Sequence, residues 1–122
     1  MMSFDLTTQL SNEVARYLDL STAKVKLTAA NMANIDTPGY KTVGLNFESE
    51  MREAMQDVAA GGTQQKFNVE RVDGLVARPD GNNVSMDRES LNMAEGQLQF
   101  RTGIAILRQE YQRVMDAIHA DK

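Results

Sequence analysis

Few residues in this chain are equipped for chemistry. His119 is the only histidine, and Asp116 lies three residues before it. His119 falls near the end of a helical stretch. A cation is favoured there by the helix dipole alone, so a structural role is expected. Glu48, Glu50, Glu53 and Asp57 form an acidic group that could supply an acid–base pair or bind a divalent metal. No histidine, cysteine or second acidic cluster completes a ligand set, and the short helix that carries these carboxylates also needs a solvated face. A hydrolase built on them would lose its activity when Glu48, Glu50 and Glu53 are replaced by alanine, and no such loss is expected. Gly61-Gly62 lacks the Lys-Ser/Thr tail of a phosphate-binding loop. Of the eight methionines, Met32, Met55 and Met93 sit at helical seam positions, where packing is the expected role. No catalytic, cofactor-binding or metal-binding residue is assigned, and no cofactor.

Composition excludes several classes. With 122 residues the chain suits one domain or one elongated subunit. The absence of cysteine leaves no disulfide framework and no thiolate metal site. No window approaches the ~20 continuous apolar residues of a membrane-spanning helix. Met1 to Leu10 carries Asp5, no Lys or Arg, and interrupted apolar residues, unlike a cleavable secretory signal. The net charge is −4 with both signs mixed, and no basic stripe points to nucleic acid.

The elements are arranged around Asn31 to Lys41, N-M-A-N-I-D-T-P-G-Y-K. Asn34 sits where a helix would end, in the left-handed conformation that asparagine tolerates. Pro38 forbids continuation of the helix and pushes Thr37 toward an extended conformation. Pro38-Gly39 fits the centre of a type II turn, the glycine supplying φ > 0. Tyr40 is expected to pack back on the helix just left. Asn31, beside Ala30 and Ala33, either contributes to helix termination or hydrogen-bonds to a neighbouring helix that the small alanines allow close.

Upstream, Leu6, Leu10, Val14, Tyr17, Val25, Thr28, Met32 and Ile35 mark one helix face, with Ser21 a polar gap in it. Leu20, Ala23, Leu27 and Ala30 form a second seam beside the first, widening the apolar arc beyond one neighbour. The helix predicted over Ser3 to Asn34 is about 45–50 Å long, too long for the rest of the chain to shield. Downstream, Asn46 is placed to cap a short helix over Phe47 to Ala59, with Phe47, Met51, Met55 and Val58 on one face and Glu48–Arg52 as an i,i+4 pair. Gly61 to Gln65 reads as a flexible loop. Asp73-Gly74, between Phe67–Arg71 and Leu75–Ala77, signals a β-hairpin. Two strands alone are marginal, so the hairpin should lean on a helix or on another chain.

Ser85 or Asp87 is expected to cap the last helix, with Glu89 in a first turn favoured by the dipole. Along it Met93, Phe100, Ile104, Leu107, Tyr111, Val114 and Ile118 form a heptad seam, and Leu91, Ala94, Leu98 and Ala105 a second. The fold class is therefore mainly α. Two long terminal helices pack as an antiparallel coiled-coil-like pair, and a small middle section holds a short helix and a β-hairpin. The chain divides into 1–36 (first helix), 37–84 (turn, short helix and hairpin) and 85–122 (last helix). If each helix buries one seam on the other, the remaining seams leave several kcal/mol unrealised in a monomer at ~25 cal/mol per Å² of apolar surface. Such a chain should be weakly ordered alone and order when copies pack around it.

The first signature also resembles a known family. A helix ending in A-N-x-A-N followed by x-D-T-P-G-Y-K is similar to the N-terminal signature of bacterial flagellar rod and hook proteins, matched here by Ala30, Asn31, Ala33, Asn34, Asp36, Thr37, Pro38, Gly39, Tyr40 and Lys41. Asp80 to Glu89, D-G-N-N-V-S-M-D-R-E, resembles the segment that precedes the C-terminal helix of one proximal rod subunit of that family. The related subunits FlgC, FlgF and FlgG share the first signature and as a rule diverge in the second. The middle, about Glu48 to Arg78, matches nothing specifically. The resemblance implies a structural subunit of the flagellar basal body, its terminal helices packed side by side into a hollow, torque-transmitting cylinder that lines an export channel, with the middle facing outward. It implies as partners other copies of the chain, FlgC, FlgF, FlgG, the adaptor FliE and the export gate, with no nucleic acid and no membrane span. It also implies a periplasmic rod location reached by flagellar type III export without signal cleavage. Another rod subunit such as FlgC, or a soluble helical-hairpin adaptor that dimerises through one seam, is the alternative.

Overall fold

The computed structural model describes residues 2–63 and 66–120, the side chains of residues 2–8 excepted. The side chain of the seam position Leu6 and the loop residues Gln64 and Gln65 therefore lie outside what is described. Five elements follow one another: α1 (Met2–Ala33), β1 (Val43–Gly44), α2 (Phe47–Ala59), β2 (Glu70–Arg71) and α3 (Met86–Ala120). The 32 residues of α1 make a rod about 48 Å long, as the sequence periodicity requires.

The long helices run antiparallel. Asn31 meets Glu89, Lys24 pairs with Glu95 at 3.0 Å, and Gly103 lies against Leu18 and Tyr17. The buried residues of α3 are Glu89, Gly96, Gly103 and Glu110, spaced seven apart. Val14, Ser21 and Thr28 are buried at the same interval on α1. A Cβ at Gly96 would stand 2.8 Å from a Val25 methyl, and one at Gly103 2.6 Å from a Leu18 methyl. The pair is thus coiled-coil-like in period, but small and polar residues make its contact line.

That line corrects the seam expected on α3. Met93 and Ile104 are half-buried, whereas Phe100, Leu107, Tyr111, Val114 and Ile118 are exposed. The second seam, Leu91, Ala94, Leu98 and Ala105, is exposed as well. Leu91, Leu98 and Ala105 each follow a contact-line residue by two positions, about 200° around the helix, and so face away from α1. The glycines let the backbones approach so closely that the flanking large side chains stay outside the contact. On α1, Val14 and Leu20 are buried, and Leu10, Tyr17, Val25, Leu27 and Met32 are half-buried. Ser21 fills a contact position rather than a gap, its hydroxyl donating back to the Tyr17 carbonyl at 2.8 Å.

α2 covers a second flank of α1. Asn46 caps it by accepting from the Ser49 N–H at 3.0 Å, and Arg52 pairs with Glu48 at 3.3 Å, both as the sequence suggests. Tyr17 and Phe47 meet edge to face at 5.5 Å. The buried Arg16 reaches Asp57 at 3.3 Å and the Gly62 carbonyl at 3.2 Å, pinning the far end of α2. The acidic face is thus not wholly solvated: Glu48 and Glu53 are exposed, but Glu50 is buried and accepts the Asn68 N–H at 3.1 Å.

The two-stranded antiparallel element is present, with a different pairing from the one its turn signal suggests. Val43 faces Arg71 and Gly44 faces Glu70. Gly74 takes its turn conformation at φ 81, but Leu75 to Ala77 form no strand. Val76 is 90% exposed, so a strand there would have nothing to lean on. β1 has support on both edges, from β2 on one and from the Asn31 side chain on the other.

Candidate functional site: a polar knot and a bare helix face

The two signatures, almost forty residues apart in sequence, fold against each other. Asn31 is 1% exposed and uses its whole carboxamide. Its oxygen accepts from the Val43 N–H and the Tyr40 hydroxyl, each at 3.1 Å, and its nitrogen donates to the Val43 carbonyl at 2.7 Å and to the Glu89 carboxylate. Val43 therefore turns its N–H and C=O toward α1, while its neighbours bond to β2: the Thr42 carbonyl accepts from Val72 at 3.0 Å. Of the two readings open for Asn31, the bond to a neighbouring helix is the one observed. Tyr40 packs back on α1 as expected.

Glu89 is equally buried and also accepts from Arg88 at 2.7 Å. A buried carboxylate is costly unless its lone pairs are met, and Asn31 and Arg88 meet them here. Ser85 caps α3, accepting from the Arg88 N–H at 3.3 Å.

A second asparagine closes the other side. Asn82, fully buried, donates to the Asn34 and Thr37 carbonyls at 2.9 and 2.8 Å and accepts from the Val84 N–H at 2.8 Å. The Asn83 side chain accepts from the Thr42 N–H at 2.7 Å. Lys41 donates to the Gly81 carbonyl, and Arg78 donates to the Ile35 carbonyl just past the end of α1. The type II turn is as expected: Gly39 has φ 75 and Tyr40 N–H bonds back to Thr37 at 3.2 Å. Asn34 differs from expectation. No described residue other than glycine has positive φ, and Asn34 ends the helix through its side chain, donating to the Ala30 carbonyl at 2.8 Å while accepting from Thr37 at 3.0 Å. Asp36, Thr37 and Pro38 are exposed on the outside of the knot.

Sequence reasoning singled out the segment containing Asn82, Asn83 and Glu89 without assigning those residues to a site. It missed Gly96 and Gly103, although the seven-residue interval from Glu89 to Glu110 is legible in the chain.

Past Glu110, α3 runs bare. Every described residue from 111 to 120 is exposed, His119 and Asp116 included. Burial raises the pKa of Tyr17 above the usual 10.0. Among the described residues no cluster of metal-ligating side chains occurs, and no helix is long and apolar enough to cross a membrane.

A paired-helix subunit with a knotted end and an uncovered helix face is the architecture of an assembling part. Comparison with known proteins gives the class: the family described as flagella basal body rod protein matches residues 20–41, which take in the first half of the knot. Over most of its length the chain is similar to FlgB proteins. It is 30% identical to that of Salmonella typhimurium over 119 residues, covering 83% of this chain and 86% of the relative. It is 24% identical to that of Buchnera aphidicola over 127 residues, covering 92% and 96%, and 25% identical to that of Yersinia enterocolitica over 119 residues, covering 83% and 87%. The chain belongs to the FlgB family of flagellar basal body rod proteins, and its role is structural, within the flagellar basal body.

Proposed function

We propose that the chain is a subunit of the proximal rod, assembling helically with its own copies and with FlgC, FlgF and FlgG into a hollow shaft that transmits torque and encloses the export channel. In this reading FliE and the export gate meet it at the membrane-proximal end. It lies in the periplasm after export without signal cleavage, its two terminal segments forming the cylinder and residues 37–84 facing outward. The supporting observation is the uncovered apolar stripe of α3, with Phe100, Leu107, Tyr111, Val114 and Ile118 all at least 37% exposed. A structural chain of this size gains by burying that surface on neighbours.

Leu107→Asp tests this reading. Leu107 is exposed within the subunit, so a charge there should change subunit stability by no more than about 0.5 kcal/mol. Buried between subunits, the same charge is unpaired and costly. Expression and helix content should persist while rod assembly and swimming fail, and normal swimming would contradict the proposal.

A further inference from the structure

The bare stripe of α3 ends in Tyr111, Val114, Met115 and Ile118, spaced i, i+3, i+4 and i+7. That is the anchor pattern by which one helix seats in an apolar groove. These four side chains are 70%, 37%, 37% and 55% exposed. One apolar groove of about 460 Å³ lies further back, between α1 and α3, lined by Thr22, Val25, Lys26, Gln97, Phe100 and Arg101. Val25 and Phe100 supply its apolar lining. Lys26 and Arg101 flank it, and neither has an ion-pair partner among the described residues. On the other side of the match, Asp116 stands beside the anchors, bonded only to the Gln112 amide at 2.9 Å among the described residues.

Resting on the rod reading, we infer that this groove receives the Tyr111–Ile118 segment of a second copy of the chain, with Asp116 of the incoming copy set against Lys26 and Arg101. Anchors and groove share α3 and stand about 27 Å apart along its axis, from Gln97 to Met115, so no copy fills its own groove. The two surfaces differ, which makes the contact heterologous. Each copy that docks its tail leaves its own groove open for the next, and the series extends instead of closing as a two-fold pair.

The absence of cysteine makes the test direct. In the full-length chain, Gln97→Cys and Met115→Cys are introduced together and singly. Basal bodies are isolated, oxidised mildly and run without reducing agent. The double variant should give a ladder of cross-linked multimers and the single variants none. Asp116→Lys in the double variant should weaken the ladder several-fold, and adding Arg101→Glu should restore it. Basal bodies that contain the double variant without a ladder, or that give equal dimers from a single variant, overturn the groove contact and leave the rod reading standing. Absence of the wild-type chain from basal bodies overturns both.

Discussion

The Asn31 carboxamide donates to the Glu89 carboxylate across 58 residues of sequence, joining the last turn of α1 to the first turn of α3 in a buried bond. Around it Tyr40, Val43 and Arg88 use the remaining hydrogen-bonding capacity of both groups. Neither Asn31 nor Glu89 loses its side chain without leaving a partner short of a bond.

Asn31→Leu keeps the volume and removes the bonds. It takes the Asn31 donor from the Glu89 carboxylate, which keeps Arg88, and strands both backbone groups of Val43, so the loss should reach about 3 kcal/mol or more. Urea unfolding followed by circular dichroism should show a lower midpoint at unchanged slope. Glu89→Gln, which keeps an acceptor for Asn31, should cost clearly less. Equal losses in the two variants would show that the charge, not the carboxamide network, holds this end.

The glycine contact line gives a second expectation. At Gly103 a methyl group has some room, because the Leu18 methyl 2.6 Å away can rotate, but the Tyr17 ring at 3.0 Å and the Leu18 Cγ at 3.1 Å must also give way. That offsets the gain of about 1 kcal/mol in helix propensity of alanine over glycine, so Gly103→Ala should be close to neutral. Gly103→Val has no such room and should cost about 1–3 kcal/mol. Leu98→Ala, on the far side of α3, should stay within about 0.5 kcal/mol. A thermal melt of the three variants ranks them, and a large loss for Leu98→Ala would place the helix interface on the wrong face.

Gly39 isolates a pure backbone effect, because nothing lies within 4 Å of a Cβ built there. At φ 75 a β-branched side chain is strained, and Gly39→Val should cost about 1–3 kcal/mol. Gly39→Asn should recover much of that, since asparagine tolerates the left-handed region. Equal midpoints for the two variants would rule out backbone strain as the cause.

Tyr17 predicts a direction on the alkaline side. Burial raises its pKa above 10.0, so the folded chain holds the phenolic proton more tightly than the unfolded chain. The stability linked to it is fully present below pH 10 and is lost as pH rises through the raised value. Tyr17→Phe should flatten that alkaline limb in a pH series of melting temperatures. An unchanged slope would show that the Tyr17 pKa does not differ between the folded and the unfolded chain.

Much of this was legible in the chain. The lengths of α1 and α3, the Asn46 and Ser85 caps, and the Pro38-Gly39 turn follow from local rules that tertiary contacts did not override. The contact line of α3 was not, because a search for apolar periodicity passes over glycine and glutamate. Close approach at Gly96 and Gly103 outweighed the larger side chains beside them. The strand pairing was misplaced for a related reason: Asp73-Gly74 is a sound turn signal, but β1 carries a side-chain amide on its other edge, which no local pattern announces. Asn82 and Asn83 stood inside a recognised segment, yet their partners, Asn34, Thr37 and Thr42, lie on the far side of the turn.

The knot also gives the molecule a direction. Among the described residues, the buried polar ties between the chain's two halves gather where α1 ends and α3 begins, with Lys24–Glu95 further along the pair, so the helices are clasped at that end like the arms of a pair of tongs. The buried bonds of that clasp set the angle at which α3 starts back along α1.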